Sequence, residues 1–128
     1  IAPAAAAAEY QDVLRSVAGG ALDVVHLGMG PDGHVCSLFP GHAHLHSTKL
    51  VDSLTDSPKP PAARVTLTLA ALAEARALWF IVTGVAKADA VRAALLEPTS
   101  DLPAARASRA AREAHWLLDA PAAAHLKG

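Results

Sequence analysis

The sequence predicts an α/β fold: a three-layer α/β/α domain with a mostly parallel sheet, Rossmann-like in its order of elements. Two observations support this prediction. Helix-like and strand-like patterns alternate along the chain, and the two clearest strand segments, 21–27 and 76–84, are apolar on both faces. Such strands are typical of parallel sheets whose crossover helices cover both sides. At 128 residues the chain suits one domain.

Proline and glycine mark the element boundaries in the first half of the chain. Pro3 suits the first turn of a helix, apolar residues then recur at helical spacing, and Gly19-Gly20 ends it. The β-branched run that follows predicts a buried strand, which ends at Gly28. Up to residue 64 the predicted elements are a helix over 3–18, a strand over 21–27, a short helical turn over 34–39, a strand over 48–54 and an extended linker over 55–64.

The second half of the chain alternates between helix and strand more clearly. Prolines 58, 60 and 61 deny the linker both helix and central strand. Thr66 or Thr68 is the expected cap of the next helix, and Pro98 closes the helix after it. The predicted elements are a helix over 66–75, a strand over 76–84, a helix over 86–97, a loop around Pro103, a strand over 115–118 and a short terminal helix.

Composition and charge exclude several classes of function. With 11 Lys and Arg against 12 Asp and Glu, the net charge is −1, so no overall field favours nucleic acid or an acidic membrane surface. No apolar run reaches the ~20 residues that span a bilayer, and the sequence lacks the layout of a signal peptide. The single cysteine, Cys36, excludes an internal disulfide and fits a cytoplasmic protein.

The chain begins at Ile1, and a helix-like segment follows at once. We interpret residues 1–128 as the C-terminal part of a longer protein. The expected fold is therefore incomplete in this chain. The missing N-terminal half of the same protein is a candidate partner.

The stretch from Gly28 to Gly33, G-M-G-P-D-G, matches the dinucleotide-binding template G-x-G-x-x-G. That template needs a long helix directly after its third glycine, because the helix N-terminus faces the pyrophosphate. Here Pro40-Gly41 follows within seven residues and leaves room for at most two helical turns. The motif alone leaves three interpretations open: a nucleotide site, a tight structural turn, or a catalytic turn.

The catalytic interpretation rests on Asp32 and His34, which follow the carboxyl end of a buried strand, where open parallel sheets bind ligands. A histidine can take a proton from water near neutral pH, and a carboxylate beside it orients the imidazole and stabilises its cation. Small residues at Gly28, Gly30 and Gly33 let a substrate lie against the backbone, whose N–H groups can receive an oxyanion. These features suit hydrolysis of an activated ester without a metal.

Four segments of the chain, taken in order, resemble those of one enzyme family. They are LGMGPDGHVCSLFPG (27–41), DSPKPPAARVTLTLAAL (56–72), WFIVTGVAKADAV (79–91) and HWLLDAPAA (115–123). Over nearly its whole length the chain resembles the 6-phosphogluconolactonases, which share a sugar-phosphate superfamily with the glucosamine-6-phosphate deaminases.

This resemblance implies hydrolysis of 6-phospho-D-glucono-1,5-lactone to 6-phosphogluconate, the second step of the oxidative pentose phosphate pathway, with no metal or organic cofactor. It implies that His34 is the general base for the attacking water and that Asp32 is the carboxylate beside it. Arg64 and Lys87 match the basic positions that bind the sugar phosphate. Lys87 also lies near the start of a predicted helix, whose dipole would attract phosphate.

Two alternatives to lactone hydrolysis stay open. One is a non-catalytic sugar-phosphate or nucleotide-binding domain. The other is an amino-sugar-phosphate deaminase or isomerase, but the deaminases carry a carboxylate five residues after the histidine, where this chain has Phe39. The resemblance also implies a protein about twice this length, with further substrate contacts in its N-terminal half. We therefore expect little lactonase activity from this chain alone.

Several other reactive side chains fit structural roles. Cys36 is expected to be a small buried side chain rather than a nucleophile. His42, His44 and His46 alternate as they would along an extended segment, yet no further ligand completes a zinc set, so we expect an exposed loop. The remaining expectations are a core or near-site position for His26, core positions for Trp79 and Trp116, and a solvated face for Arg106, Arg109 and Arg112.

Overall fold

The computed structural model describes residues 1–127 of the chain. These residues contain two sheets and four α-helices, joined by turns and loops. In chain order they are α1 (Pro3–Ala18), β1 (Val24–Leu27), β2 (Val51–Leu54), β3 (Arg64–Leu67), α2 (Leu69–Glu74), β4 (Ala77–Val82), α3 (Ala88–Leu96), α4 (Pro103–Ala110) and β5 (Ala114–Leu118). Strands β1, β4 and β5 form a parallel sheet in the order β1-β4-β5, whereas β2 and β3 form an antiparallel hairpin. The predicted mostly parallel sheet is confirmed.

One face of the parallel sheet forms the main core. Alternate residues of its strands point to this face, and helices α2, α3 and α4 cover it. Small buried alanines on α4, Ala104, Ala105 and Ala107, let that helix pack closely against α2 and α3. The fully or almost fully buried residues of this core include Leu72, Leu78, Phe80, Val82, Val91, Ala104 and Ala107.

The opposite face of the parallel sheet is open. Val24, Ile81 and Leu117 on this face are 51%, 47% and 43% exposed. Helix α1 packs instead against the β2–β3 hairpin, where Ala7 and Leu14 meet Val51. Residues 1–127 thus supply two of the three predicted layers at this sheet, in keeping with a fold that is incomplete in this chain.

The three aromatic residues expected in the core fall on different faces. Trp116 stacks on Phe80 with ring centroids 4.2 Å apart and packs against the core, as expected. Trp79 lies on the open face beside His115, and its strand partner His26 is exposed. The expectation for His26 and Trp79 was wrong because β1 and β4 are covered by this chain on one face only.

Two elements are absent from the sequence prediction. Residues 64–67 form strand β3, which long-range pairing with β2 stabilises, so the following helix begins at Leu69 rather than at 66. Thr68 is its cap and accepts the Ala71 N–H at 3.1 Å. Pro103 does not lie in a loop but opens α4, as proline at a first helical position can.

Within residues 1–127 no helix combines the length and apolarity needed to cross a membrane.

Two predicted helical turns have other structures. Residues 34–39 form a tight turn closed by a bridge between Val35 and Leu38. In this bridge the Leu38 N–H donates to the Val35 carbonyl oxygen at 2.9 Å. Residues 120–125 form consecutive hydrogen-bonded turns rather than a terminal helix, and Gly128 lies outside the described residues. The histidine-rich loop contains a 3-10 turn over Ala43–His46.

Candidate active site

The carboxyl ends of β1, β4 and β5 lie at one edge of the parallel sheet, so the loops that follow them are neighbours. The loops after β1 and β4 enclose a crevice of about 440 Å³. This is the edge at which open parallel sheets bind ligands. Its lining residues are Gly28, Met29, Gly30, His34, Cys36 and Lys87.

Asp32 and His34 form a close pair in the turn after β1. Oδ1 of Asp32 lies 2.5 Å from Nδ1 of His34 and accepts the His34 backbone N–H at 3.2 Å. Because the carboxylate occupies Nδ1, Nε2 is the ring nitrogen left for a water or substrate in the crevice. The His34 side chain is 19% exposed, so it is shielded from bulk water but still reachable.

Two glycines allow this pairing. A Cβ at Gly30 would overlap with the His34 imidazole and would approach Oδ1 of Asp32 to 2.7 Å. Gly33 has φ +83°, a conformation that side chains disfavour, and a Cβ there would lie 2.9 Å from Leu102. The glycine pattern is therefore explained by the close approach of Asp32 and His34, without a nucleotide.

Backbone hydrogen bonds hold the turn in place. Gly30 donates to His34 O at 3.0 Å, and Gly33 donates to Gly30 O at 2.9 Å. The Gly33 carbonyl in turn accepts the Ala104 N–H at 3.0 Å, which ties the turn to the first residues of α4. At Gly28 a Cβ would meet nothing within 4 Å, so the backbone there is open to the crevice.

The pKa of Asp32 lies below the ordinary value of an aspartate. Burial raises this pKa, but hydrogen bonds from the His34 side chain and backbone, together with the charges of His34 and Lys59, outweigh burial. Lys59 was not singled out from the sequence. Its Nζ lies 3.8 Å from Oδ1 of Asp32. The only local signal in the sequence was the proline-rich segment around Lys59, which indicates a loop of restricted conformation.

Lys87 reaches the crevice from the loop after β4. Its Nζ donates to the backbone oxygen of Met29, in the glycine turn, and it lines the crevice together with His34. Lys87 directly precedes α3, so its charge adds to the positive end of that helix dipole. Both features favour an anion at this end of the crevice.

Arg64, at the start of β3, is not among the lining residues of the crevice. Its Nε and Nη2 donate to the three backbone oxygens of segment 59–61 at 2.9–3.0 Å. Its Nη1 lies 3.5 Å from Oγ of Ser37, and its guanidinium lies 5.5 Å from the Phe39 ring centroid. Arg64 thus does not line the crevice together with Lys87, and its phosphate contact stays a prediction.

Two further groups bear on the chemistry. Burial raises the pKa of the Cys36 thiol to about 11, which keeps it protonated at neutral pH and argues against a nucleophilic thiolate. The His42 and His44 rings lie 5.0 Å apart in a 3-10 turn, not along an extended segment. Across residues 1–127 there is no group of three or more His, Cys, Asp or Glu arranged to hold a metal.

A larger cavity, of about 510 Å³, lies between segment 40–46 and the connection from α3 to α4. Its lining includes Arg106 with the carboxylates of Glu97 and Asp101, and also His42. It includes neither His34 nor Lys87. The candidate chemistry therefore lies in the smaller crevice at the sheet edge.

Residues 1–116 of the chain match the family described as glucosamine-6-phosphate isomerases/6-phosphogluconolactonase. The chain belongs to this family. The 6-phosphogluconolactonase of Mycobacterium tuberculosis is 48% identical over 130 residues, covering 95% of this chain and 52% of that relative. The rat enzyme of the same name is 44% identical over 123 residues, covering 92% and 48%. The structure of 6-phosphogluconolactonase from Trypanosoma cruzi superposes with a TM-score of 0.85 at 25% identity, covering 98% of this chain and 53% of that one.

The chain spans about half the length of these 6-phosphogluconolactonases. Membership of the glucosamine-6-phosphate isomerase/6-phosphogluconolactonase family confirms the resemblance drawn from the four sequence segments. The superposition confirms the Rossmann-like fold type for the half that is present. All the predicted site residues fall within the family match, between Gly28 and Lys87.

Proposed function

We propose that this chain is the C-terminal part of the catalytic domain of a 6-phosphogluconolactonase, an enzyme that hydrolyses 6-phospho-D-glucono-1,5-lactone to 6-phosphogluconate. The observation that carries the proposal is that His34, whose Nδ1 lies 2.5 Å from Oδ1 of Asp32, lines one crevice with Lys87. A base and a cation in one crevice match the two ends of a phosphorylated lactone. The substrate is thus a small sugar phosphate rather than a nucleic acid or a membrane.

The reaction begins when Nε2 of His34 takes a proton from a water that attacks the lactone carbonyl carbon. The carbonyl becomes an oxyanion, for which the Gly28 and Met29 N–H groups are the proposed donors, because those of Gly30, Gly33 and His34 already donate within the turn. When the oxyanion collapses, the bond to the ring oxygen breaks, and that oxygen takes a proton back from the imidazolium. Asp32 stabilises the imidazolium in the intervening state and holds the ring orientation. His34 carries both proton transfers of ring opening, and the carboxylic acid that forms then releases its proton to solvent to give 6-phosphogluconate. The scheme contains no metal or organic cofactor.

The phosphate end is assigned to Lys87 and the start of α3, where a positive charge and a helix dipole coincide. Arg64 is assigned a second phosphate contact on the resemblance alone. Its Nη1 is the group available for that contact, since it makes only a 3.5 Å contact with Oγ of Ser37, whereas Nε and Nη2 donate to the carbonyl oxygens of segment 59–61.

The completing partner is proposed to be the part of the protein that corresponds to the other half of the relatives' length. The open sheet face supports this, because the exposed Val24, Ile81 and Leu117 form an apolar surface that α/β sheets ordinarily cover. The proposed compartment is the cytoplasm, where a lone thiol such as that of Cys36 stays reduced.

Phe39 favours lactone hydrolysis over deamination. Its ring centroid lies 4.8 Å from that of His34 and its side chain is buried. An amino-sugar-phosphate deaminase of the kind considered above would need a carboxylate at this position to assist ring opening. Phenylalanine cannot transfer a proton, whereas lactone hydrolysis requires no such relay.

The test is a chimera that joins the N-terminal half of the Mycobacterium tuberculosis relative to residues 1–128. We expect the chimera to hydrolyse the phosphorylated lactone, and the chain alone to show little or no activity. Release of ammonia from glucosamine 6-phosphate without lactone hydrolysis would favour the deaminase. Thermal stabilisation by NAD, without either activity, would favour a nucleotide-binding domain.

A further inference from the structure

The carboxylate of Asp119 links the loop after β5 to the loop after β4. Its Oδ1 accepts the Gly84 N–H at 3.0 Å, and its Oδ2 lies 3.3 Å from the same nitrogen. Oδ1 also accepts the Ala122 N–H at 2.9 Å. One side chain therefore fixes two backbone amides at the edge of the sheet where the crevice lies.

Gly84 is the residue at which the β4 loop turns towards the crevice. Its backbone has φ +98° and ψ 147°, a conformation in which a side chain would be strained. A 3-10 turn over Val85–Lys87 starts directly after it, and the Lys87 N–H donates to Gly84 O at 3.1 Å. Fixing the Gly84 amide therefore fixes the start of the short turn that ends in Lys87.

The segment after β5 holds the other end of this turn as well. Nδ1 of His125 lies 2.7 Å from Oδ1 of Asp89, in the first turn of α3. Ala122, between Asp119 and His125, is completely buried in the core. Both flanks of Lys87 are thus braced by one anchored segment.

We propose that Asp119 is a positioning residue that aims the Lys87 ammonium at the phosphate of the substrate. Asp119 does not line the crevice, so its effect passes through the Gly84 amide. The Asp32–His34 pair lies on a different loop and keeps its hydrogen bonds when that amide is released. The inference rests on the proposed function, and it places the effect on phosphate recognition rather than on the chemical step.

The kinetic test compares Asp119→Asn and Asp119→Ala in the chimera, with the phosphorylated lactone and with unphosphorylated glucono-1,5-lactone. We expect Asp119→Ala to raise KM for the phosphorylated lactone about 10-fold, since a charge-assisted hydrogen bond is lost, with kcat nearly unchanged. Asp119→Asn keeps an acceptor oxygen and should raise KM about 3-fold. Turnover of the unphosphorylated lactone should not change. The matched control is Asp101→Asn, an exposed carboxylate paired with Arg106 at 3.5 Å.

A double mutant separates positioning from general destabilisation. Once Lys87→Ala has removed the ammonium, adding Asp119→Asn should raise KM no further. Equal losses with both lactones, or a fall in kcat at constant KM, would mean a structural role and would overturn the proposal. The graded Asp119→Asn effect decides the matter even where Asp119→Ala fails to fold.

A binding measurement keeps this proposal separate from the proposed function. Titration of residues 1–128 with inorganic phosphate, followed by NMR of the Lys87 side chain, should show weaker binding in Asp119→Asn than in Asp101→Asn. If this holds while the chimera hydrolyses no lactone, the proposed function fails and the role of Asp119 stands. If the chimera is active and Asp119 variants match Asp101→Asn in both assays, the role of Asp119 fails alone.

Discussion

Nζ of Lys59 lies 3.8 Å from Oδ1 of Asp32, the same oxygen that faces the His34 imidazole. The loop that carries Lys59 is fixed: Oγ of Ser57 donates to the Lys59 carbonyl at 2.7 Å, and Arg64 donates to the same oxygen at 2.9 Å. A rigid backbone therefore presents a flexible cation to the Asp32 carboxylate. This cation favours the ionised form of Asp32.

Replacing Lys59 should raise the pKa of Asp32, because one of the positive charges that lower it is lost. Lys59→Gln removes the charge and keeps a polar side chain that is one atom shorter. Carbon-13 NMR of the labelled carboxyl groups would follow the titration, with Asp32→Asn identifying the signal. Lys49→Gln is the matched control, since Nζ of Lys49 pairs at 3.9 Å with a different carboxylate, Oδ1 of Asp52 on β2. An Asp32 titration that is the same in both variants would contradict this account.

Asp32 should make the folded chain more stable near neutral pH than in acid. Its pKa is lower in the folded chain than its ordinary value, so its ionised form stabilises the fold above that value. The contribution is lost as pH falls through the lowered pKa. The free energy of unfolding, measured by urea denaturation, should therefore differ most between wild type and Asp32→Asn near neutral pH. The difference should shrink towards about pH 3; a constant difference would refute this prediction.

Gly30→Ala should disrupt the catalytic turn, because the new Cβ would overlap with the His34 imidazole. We expect a loss of about 1–3 kcal/mol in the free energy of unfolding and a displaced His34 ring in NMR spectra. Gly28→Ala is the matched control for stability, since a Cβ there meets nothing within 4 Å. Similar unfolding free energies for the two variants would show that the turn tolerates a side chain at Gly30.

Local sequence patterns predicted the parts of the molecule that local interactions determine. The bounds of α1 follow from Pro3 and Gly19, and they match the structure. The position of Asp32 next to His34 follows from a two-residue spacing within a glycine turn at a strand end. In both cases the groups that interact are close in the sequence, so the pattern contains the contact.

Long-range contacts determine the parts that the sequence did not predict. Strand β3 requires β2 as its partner, and the short, alanine-rich α4 is stabilised by packing against the core. Lys59 is 27 residues from Asp32, and Asp119 is 35 residues from Gly84, so neither contact appears in a local pattern. The open sheet face escaped prediction for the same reason, because its apolar residues look like those of a strand covered on both sides.

The turnover of the chimera with His34→Ala tests the central claim most directly, because His34 is the only base in the proposed reaction. We predict that kcat for the phosphorylated lactone falls about 10²- to 10⁴-fold, the usual contribution of a general base. His46→Ala, an exposed histidine outside the crevice, should leave kcat unchanged. A His34→Ala chimera that turns over within a few-fold of the unmodified chimera would contradict the account.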